Sequence, residues 1–177
     1  MSQVSKLNQV NSKLGAGMMG QQTTRYIFDS VDSELNQTFF EFFKNFNGKD
    51  EFQTNLTTNK LDSSESMVIK SIFLSSSATT IFPNHCLLNI TVGNQVVIKD
   101  LDISYNSTNR GVSFDRLHSS NTDNNTSEIR LLTDIIIPPQ VNFSATLQIP
   151  QVNLLADTNI TLGLKGYGVI FSAGNTF

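Results

Sequence analysis

The residues able to do chemistry are few and scattered. The chain has one cysteine, Cys86, and two histidines, His85 and His118. A thiol nucleophile works when an imidazole takes its proton, and both groups must then face one site. His85 and Cys86 are neighbours, and neighbours on an extended segment point to opposite faces, so such a pair would have to be assembled through space. Cys86, followed by Leu87 and Leu88, reads as a small buried hydrophobe, and a lone cysteine excludes an intrachain disulfide. Neither histidine has a Cys, His or Asp partner at zinc-ligand spacing. Asp123 and Glu128 flank an Asn/Thr-rich stretch, and their oxygens are candidates for calcium over residues 121–128. The spacing is not that of an EF-hand, and the alternative is a plain solvated loop. No G-x-S-x-G elbow or phosphate-cradling glycine loop is present. Gly163, Gly166 and Gly168, in L-G-L-K-G-Y-G-V, have no helix after them and read as bulges or as close backbone approach to a neighbouring chain. A carboxylate pair for glycoside hydrolysis is assembled in space and leaves no spacing signal, while the chain lacks any Trp to stack a sugar. No catalytic, cofactor-binding or metal-binding residue is therefore assigned, and the expectation is a protein that is not an enzyme.

The elements around these residues read as strands. Residues 141–149 alternate without a fault: Val141, Phe143, Ala145, Leu147 and Ile149 on one face, Asn142, Ser144, Thr146 and Gln148 on the other. That is the period of a strand with one wet face. Further strands are expected over 24–31, 67–76, 87–92, 95–99, 128–137 and 159–171. Gly93-Asn94 between two of them suits a type II′ hairpin. Residues 36–46, with Phe39, Phe40, Phe42, Phe43 and Phe46, fit either a helix face capped by Ser33 or a bulged strand, with the all-β surroundings favouring the strand. Residues 105–127 read as a long exposed loop, of the kind that carries function or moves. Pro138, Pro139 and Pro150 sit at strand ends, where a missing N–H does least harm. The expected architecture is all-β: a single jelly-roll β-sandwich of about eight antiparallel strands, with an immunoglobulin-like sandwich as the alternative.

Composition bounds the partners. Charged residues make up only 15% of the chain, well under the usual quarter. Asn, Ser, Thr and Gln number 19, 20, 17 and 10, together 66 of 177 residues. Short uncharged side chains repel little and lose little rotamer entropy on contact, so such a surface docks against copies of itself at modest cost. A net charge of −3 with 12 scattered Lys+Arg is not the footprint of a nucleic-acid binder. No apolar run approaches a membrane span, and residues 1–22 lack the apolar core of a signal peptide. Eight N-x-S/T sequons begin at Asn36, Asn55, Asn89, Asn106, Asn124, Asn125, Asn142 and Asn159. They read as a by-product of composition, and a glycan on Asn142 would obstruct sheet stacking.

Residues 1–22 stand apart as a flexible N-terminal arm preceding a single domain, 23–177. The arm carries Lys6 and Lys13 and no acid, and its Val4, Leu7, Val10 and Leu14 recur every three or four positions. That is one face of a short helix, able to order in a groove on a partner, where the alternative is a frayed terminus.

Three parts together resemble structural proteins of tailless icosahedral bacteriophages: the acid-free arm; residues 54–75, TNLTTNKLDSSESMVIKSIFLS; and the closing runs IIIPPQVNFSATLQIP (135–150) and NITLGLKGYGVIF (159–171). The resemblance implies a jelly-roll capsid protein that assembles into the shell or at its vertices and is made in the host cytoplasm. Its partners would be copies of itself and other capsid proteins, with the arm reaching a neighbouring subunit or the particle interior, and it would act on no small-molecule substrate. The double-barrel major capsid proteins of membrane-containing phages need a longer chain, so a single roll is implied here. A second reading, from another class, is a carbohydrate- or receptor-binding module that uses Tyr105, Arg110 and Asp123 in the 105–127 loop.

Overall fold

The computed structural model describes residues 18–77, 86–103, 114–116, 126–149 and 158–173. They form nine strands: β1 (Met18–Asp32), β2 (Phe39–Phe42), β3 (Glu65–Ser76), β4 (Leu87–Val92), β5 (Gln95–Asp102), β6 (Phe114–Arg116), β7 (Thr126–Ile137), β8 (Phe143–Gln148) and β9 (Asn159–Ala173). One sheet has the order β1-β9-β3-β7-β6 and the other β2-β8-β4-β5. Every ladder is antiparallel. The two sheets pack their inner faces together around one core cluster, an all-β sandwich as expected.

The pairing is nested. β1 pairs with β9, β2 with β8, β3 with β7, and β4 with β5. These four pairs form one long antiparallel ribbon that ends in the β4–β5 hairpin. Two further ladders, β9 with β3 and β8 with β4, roll that ribbon into the two sheets. β6 is a three-residue addition that covers β7 at residues 129–131.

Local chemistry explains the elements. β8 buries Phe143, Ala145 and Leu147 and turns Ser144, Thr146 and Gln148 outward, as its alternation requires. Gly93 has a φ of 61°, the positive value that the first position of a type II′ turn needs. The phenylalanine run resolves into a strand of only four residues, with Phe40 and Phe42 inward and Phe39 and Glu41 outward. Phe43 then takes a φ of 59°, which breaks the alternation and buries a third ring, tilted against Phe143 at 5.3 Å. Each such buried ring contributes roughly 1.5–3 kcal/mol. β1 starts at Met18, six residues before the strand its alternation marks, because it lies along β9 as far as Ala173. Residues 1–17 and most of the 105–127 stretch lie outside the described residues.

Candidate functional site

The residues that sequence reasoning singled out divide into three groups. His85, His118, Tyr105, Arg110 and Asp123 lie outside the described residues. Cys86 is fully buried in the core cluster. Burial first, and then the charge of Asp102, pushes its thiol pKa up to about 12, so it stays neutral and unreactive. Glu128 is engaged, accepting hydrogen bonds from Ser71 Oγ at 3.0 Å and Lys165 Nζ at 3.2 Å. Its carboxylate is committed to the sheet, and no group of three His, Cys, Asp or Glu comes together among the described residues.

The state of Cys86 has a pH consequence. The folded chain keeps the thiol protonated up to about 12, whereas an unfolded thiol ionises near 8.5. Raising the pH between these values ionises only the unfolded state, so stability falls, by at most about 1.4 kcal/mol per pH unit from this group. Lys70 works in the same direction at higher pH. Burial alone would lower its pKa, but its hydrogen bonds to Asp134 and Tyr167 outweigh this and raise it. Urea unfolding between pH 8 and 10.5 checks this. The Cys86→Ala protein is expected to lose the decline that begins near pH 9, and an unchanged profile would remove the thiol as its cause.

A second site, not marked by any motif, is the outer face of the five-stranded sheet. The ladders set its residues in rows across four strands. One row is Phe28, Gly163, Phe73 and Glu128; the next is Tyr26, Lys165, Ser71 and Arg130; the third is Thr24, Tyr167, Val68 and Ile136. Tyr26 and Phe28 stack at 5.5 Å. The Lys165 ammonium lies 4.8 Å from the Phe73 ring centre and 5.8 Å from that of Tyr26. Lys70 sits 5.3 Å from the Tyr167 ring centre and bonds Asp134. Burial, then the Glu128 charge, raises the Tyr26 pKa. Cations over ring faces and paired carboxylates neutralise one another, leaving an aromatic surface on which Lys70 is matched by Asp134 and Lys165 by Glu128. The signal in the sequence was Tyr26-Ile27-Phe28, in which large side chains occupy both faces of one strand.

The glycines of β9 serve this packing. A Cβ on Gly163 would stand 2.5 Å from the Tyr26 ring, and one on Gly166 would stand 1.9 Å from the Val68 carbonyl oxygen. The close approach read from the sequence is therefore made by the chain's own strands, β1 and β3. At Gly166 the cause is a bulge: Ile69 pairs with Gly166 and Ser71 with Lys165, leaving Lys70 as an extra residue.

The ladder from β3 to β7 breaks at the same point, with the surplus on β7. On the β7 side Ile69 pairs with Ile135 and Ser71 with Arg130, so residues 131–134 have no β3 partner. Beside that stretch a groove of about 610 Å³ opens between residues 131–136 of β7 and residues 95–98 of β5. Leu132 is 66% exposed, Val96 57%, Ile136 49% and Val97 39%. Contiguous apolar exposure of this kind marks contact surfaces, and among the described residues β5 has no strand on its outer side, an edge of the kind that pairs with other chains. Chemically the described surface offers contact, by stacking on the sheet face and by apolar burial in the groove. In comparisons with known proteins, no family model, curated protein or solved structure matches this chain.

Proposed function

We propose that the protein is a non-enzymatic structural subunit that self-assembles around a symmetry axis, as a capsid or vertex protein of an icosahedral bacteriophage particle. The groove on the flank, where exposed Leu132, Ile136, Val96 and Val97 lie beside polar Gln95, Thr133 and Asp134, is the observation that carries this reading. Further support comes from the polar, weakly charged composition and from the nested pairing of the strands. Set β6 aside, and the ribbon of four strand pairs rolled into two sheets supports reading the sandwich as a jelly roll, a shape that tiles shells through its edges and loops. Its partners would be copies of itself and other shell proteins, and its place the virion. Light scattering on the full-length protein over a range of concentration and salt tests this. Discrete trimers, pentamers or closed particles are expected, since specific contacts of roughly 1,000 Å² or more are stable at such concentrations. A strict monomer under all conditions would overturn it.

The stacked Tyr26–Phe28 pair beside Phe73 and Tyr167 favours a second reading, a module that binds a planar or sugar ligand on the sheet face. Under that reading the monomer binds in a glycan screen, and Tyr26→Ala abolishes binding.

A further inference from the structure

Among the described residues, the flank groove gathers exposed apolar side chains beside two strand edges. Two strand edges frame it: among the described residues β5 is the last strand of its sheet, and β6 pairs with β7 at residues 129–131 and no further. The β5 stretch 95–98 carries no charge; Lys99 and Asp100 come only after it. Because the groove is hollow, the same flank of a second copy cannot fill it, for two facing hollows enclose a void. The occupant must be a single narrow element with apolar side chains on one side.

The chain contains such an element. In residues 1–17, Val4, Leu7, Val10 and Leu14 recur at three- and four-residue steps with no acid among them, the spacing of one helix face. The lengths agree. Residues 4–14 as a helix would span about 16 Å, and the six β7 residues along the groove span about 20 Å.

We propose that the groove between β5 and β7 receives residues 4–14 of a second copy of this chain, seated as an amphipathic helix. The inference rests on the self-association reading and assigns its contact. Reach decides between the chain's own segment and a neighbour's. β1 is separated from β7 by β9 and β3, a lateral distance of about 14 Å at the usual strand spacing. Through the ladders Ile136 is level with Thr24, six residues along β1 from Met18, or about 20 Å. The near end of the groove is thus about 24 Å from Met18, whereas the steps from Leu14 to Met18 reach at most about 14 Å. The chain's own segment falls short, and only a neighbour's arrives.

The test uses full-length protein, with Val10→Cys in one preparation and Leu132→Cys in another, mixed under mild oxidation and run without reductant. Cys86 is buried and does not compete. A cross-linked dimer is expected in the mixture and in neither preparation alone. Leu132→Asp is expected to weaken self-association roughly 10- to 100-fold, the loss of one buried leucine contact. Dimers of the Leu132→Cys protein by itself would overturn the proposal in favour of flank-to-flank contact. Ring closure within one chain of the double variant would overturn it in favour of the chain's own segment. If the full-length protein oligomerises but the mixture gives no cross-link and Leu132→Asp changes nothing, the groove assignment fails and the assembly reading stands. A protein that is monomeric throughout overturns both.

Discussion

Replacing Asp29 by alanine is expected to cost about 3–5 kcal/mol of folding stability, the loss typical of breaking a buried ion pair from one side. Asp29 lies on the inner face of β1 with no exposed surface. Its carboxylate accepts the Phe43 backbone N–H at 2.7 Å and the Lys49 ammonium at 2.6 Å. The same strand accepts the Thr54 hydroxyl at Phe28 O, and Ser30 N–H donates to Gln53 O. The segment from Phe43 to Thr54 is thus pinned to β1 around one charged centre, which also supports the positive φ at Phe43. Alanine leaves an ammonium and a buried N–H without their acceptor. Asp29→Asn keeps an acceptor for Phe43 and loses only the charge pairing, so it should cost less, about 1–3 kcal/mol. Urea unfolding of the two variants and of Lys49→Met, arranged as a double-mutant cycle, isolates the pair. A cost below about 1 kcal/mol for Asp29→Ala would show that the loop is held by its other contacts.

The second large effect is expected at Gly166. Alanine there should cost about 3 kcal/mol or more, by forcing two backbone strands apart. Its φ lies outside the positive region, so the requirement is not conformational freedom but space: the new Cβ would meet the Val68 carbonyl oxygen at 1.9 Å. That oxygen belongs to a central strand and cannot rotate away. Gly168 is the control, because a Cβ there meets its neighbours at 3.4 Å or beyond, ordinary contact. Gly168→Ala should change stability by less than about 1 kcal/mol, since a strand glycine carries an entropic penalty that alanine relieves. Thermal unfolding of the two proteins checks the contrast, and equal losses would refute the close-approach account.

Much of the strand content was legible. Phe143, Ala145 and Leu147 are buried and their alternate neighbours are not, because the face a strand residue takes depends only on its parity. The hairpin at Gly93-Asn94 was legible for a similar reason, as turn chemistry acts within a few residues. The phenylalanine run was not decided by periodicity, since Phe43 leaves the strand through a positive φ that no spacing rule encodes. The glycines of β9 read as bulges or as close approach to a neighbouring chain, whereas the groups that approach Gly163 and Gly166 are the chain's own Tyr26 and Val68. Tyr26 and Val68 come beside them only once β9 lies between β1 and β3.

By itself, then, the sequence determined the local elements: strands, their inner faces, the tight turn, a thiol destined for the core, and a weakly charged polar exterior. Those follow from neighbours along the chain, where geometry repeats every two residues. Only the tertiary structure decided which strands adjoin and therefore what meets across them. The stacked aromatic rows, the ion pair at Asp29 and the groove beside β7 all arise from partners distant in sequence, and the groove from the break in the β3–β7 ladder, where residues 131–134 stand opposite Lys70 alone. Register of that kind is set by the packing of the whole core, a sum over many weak contacts that no short stretch of sequence contains.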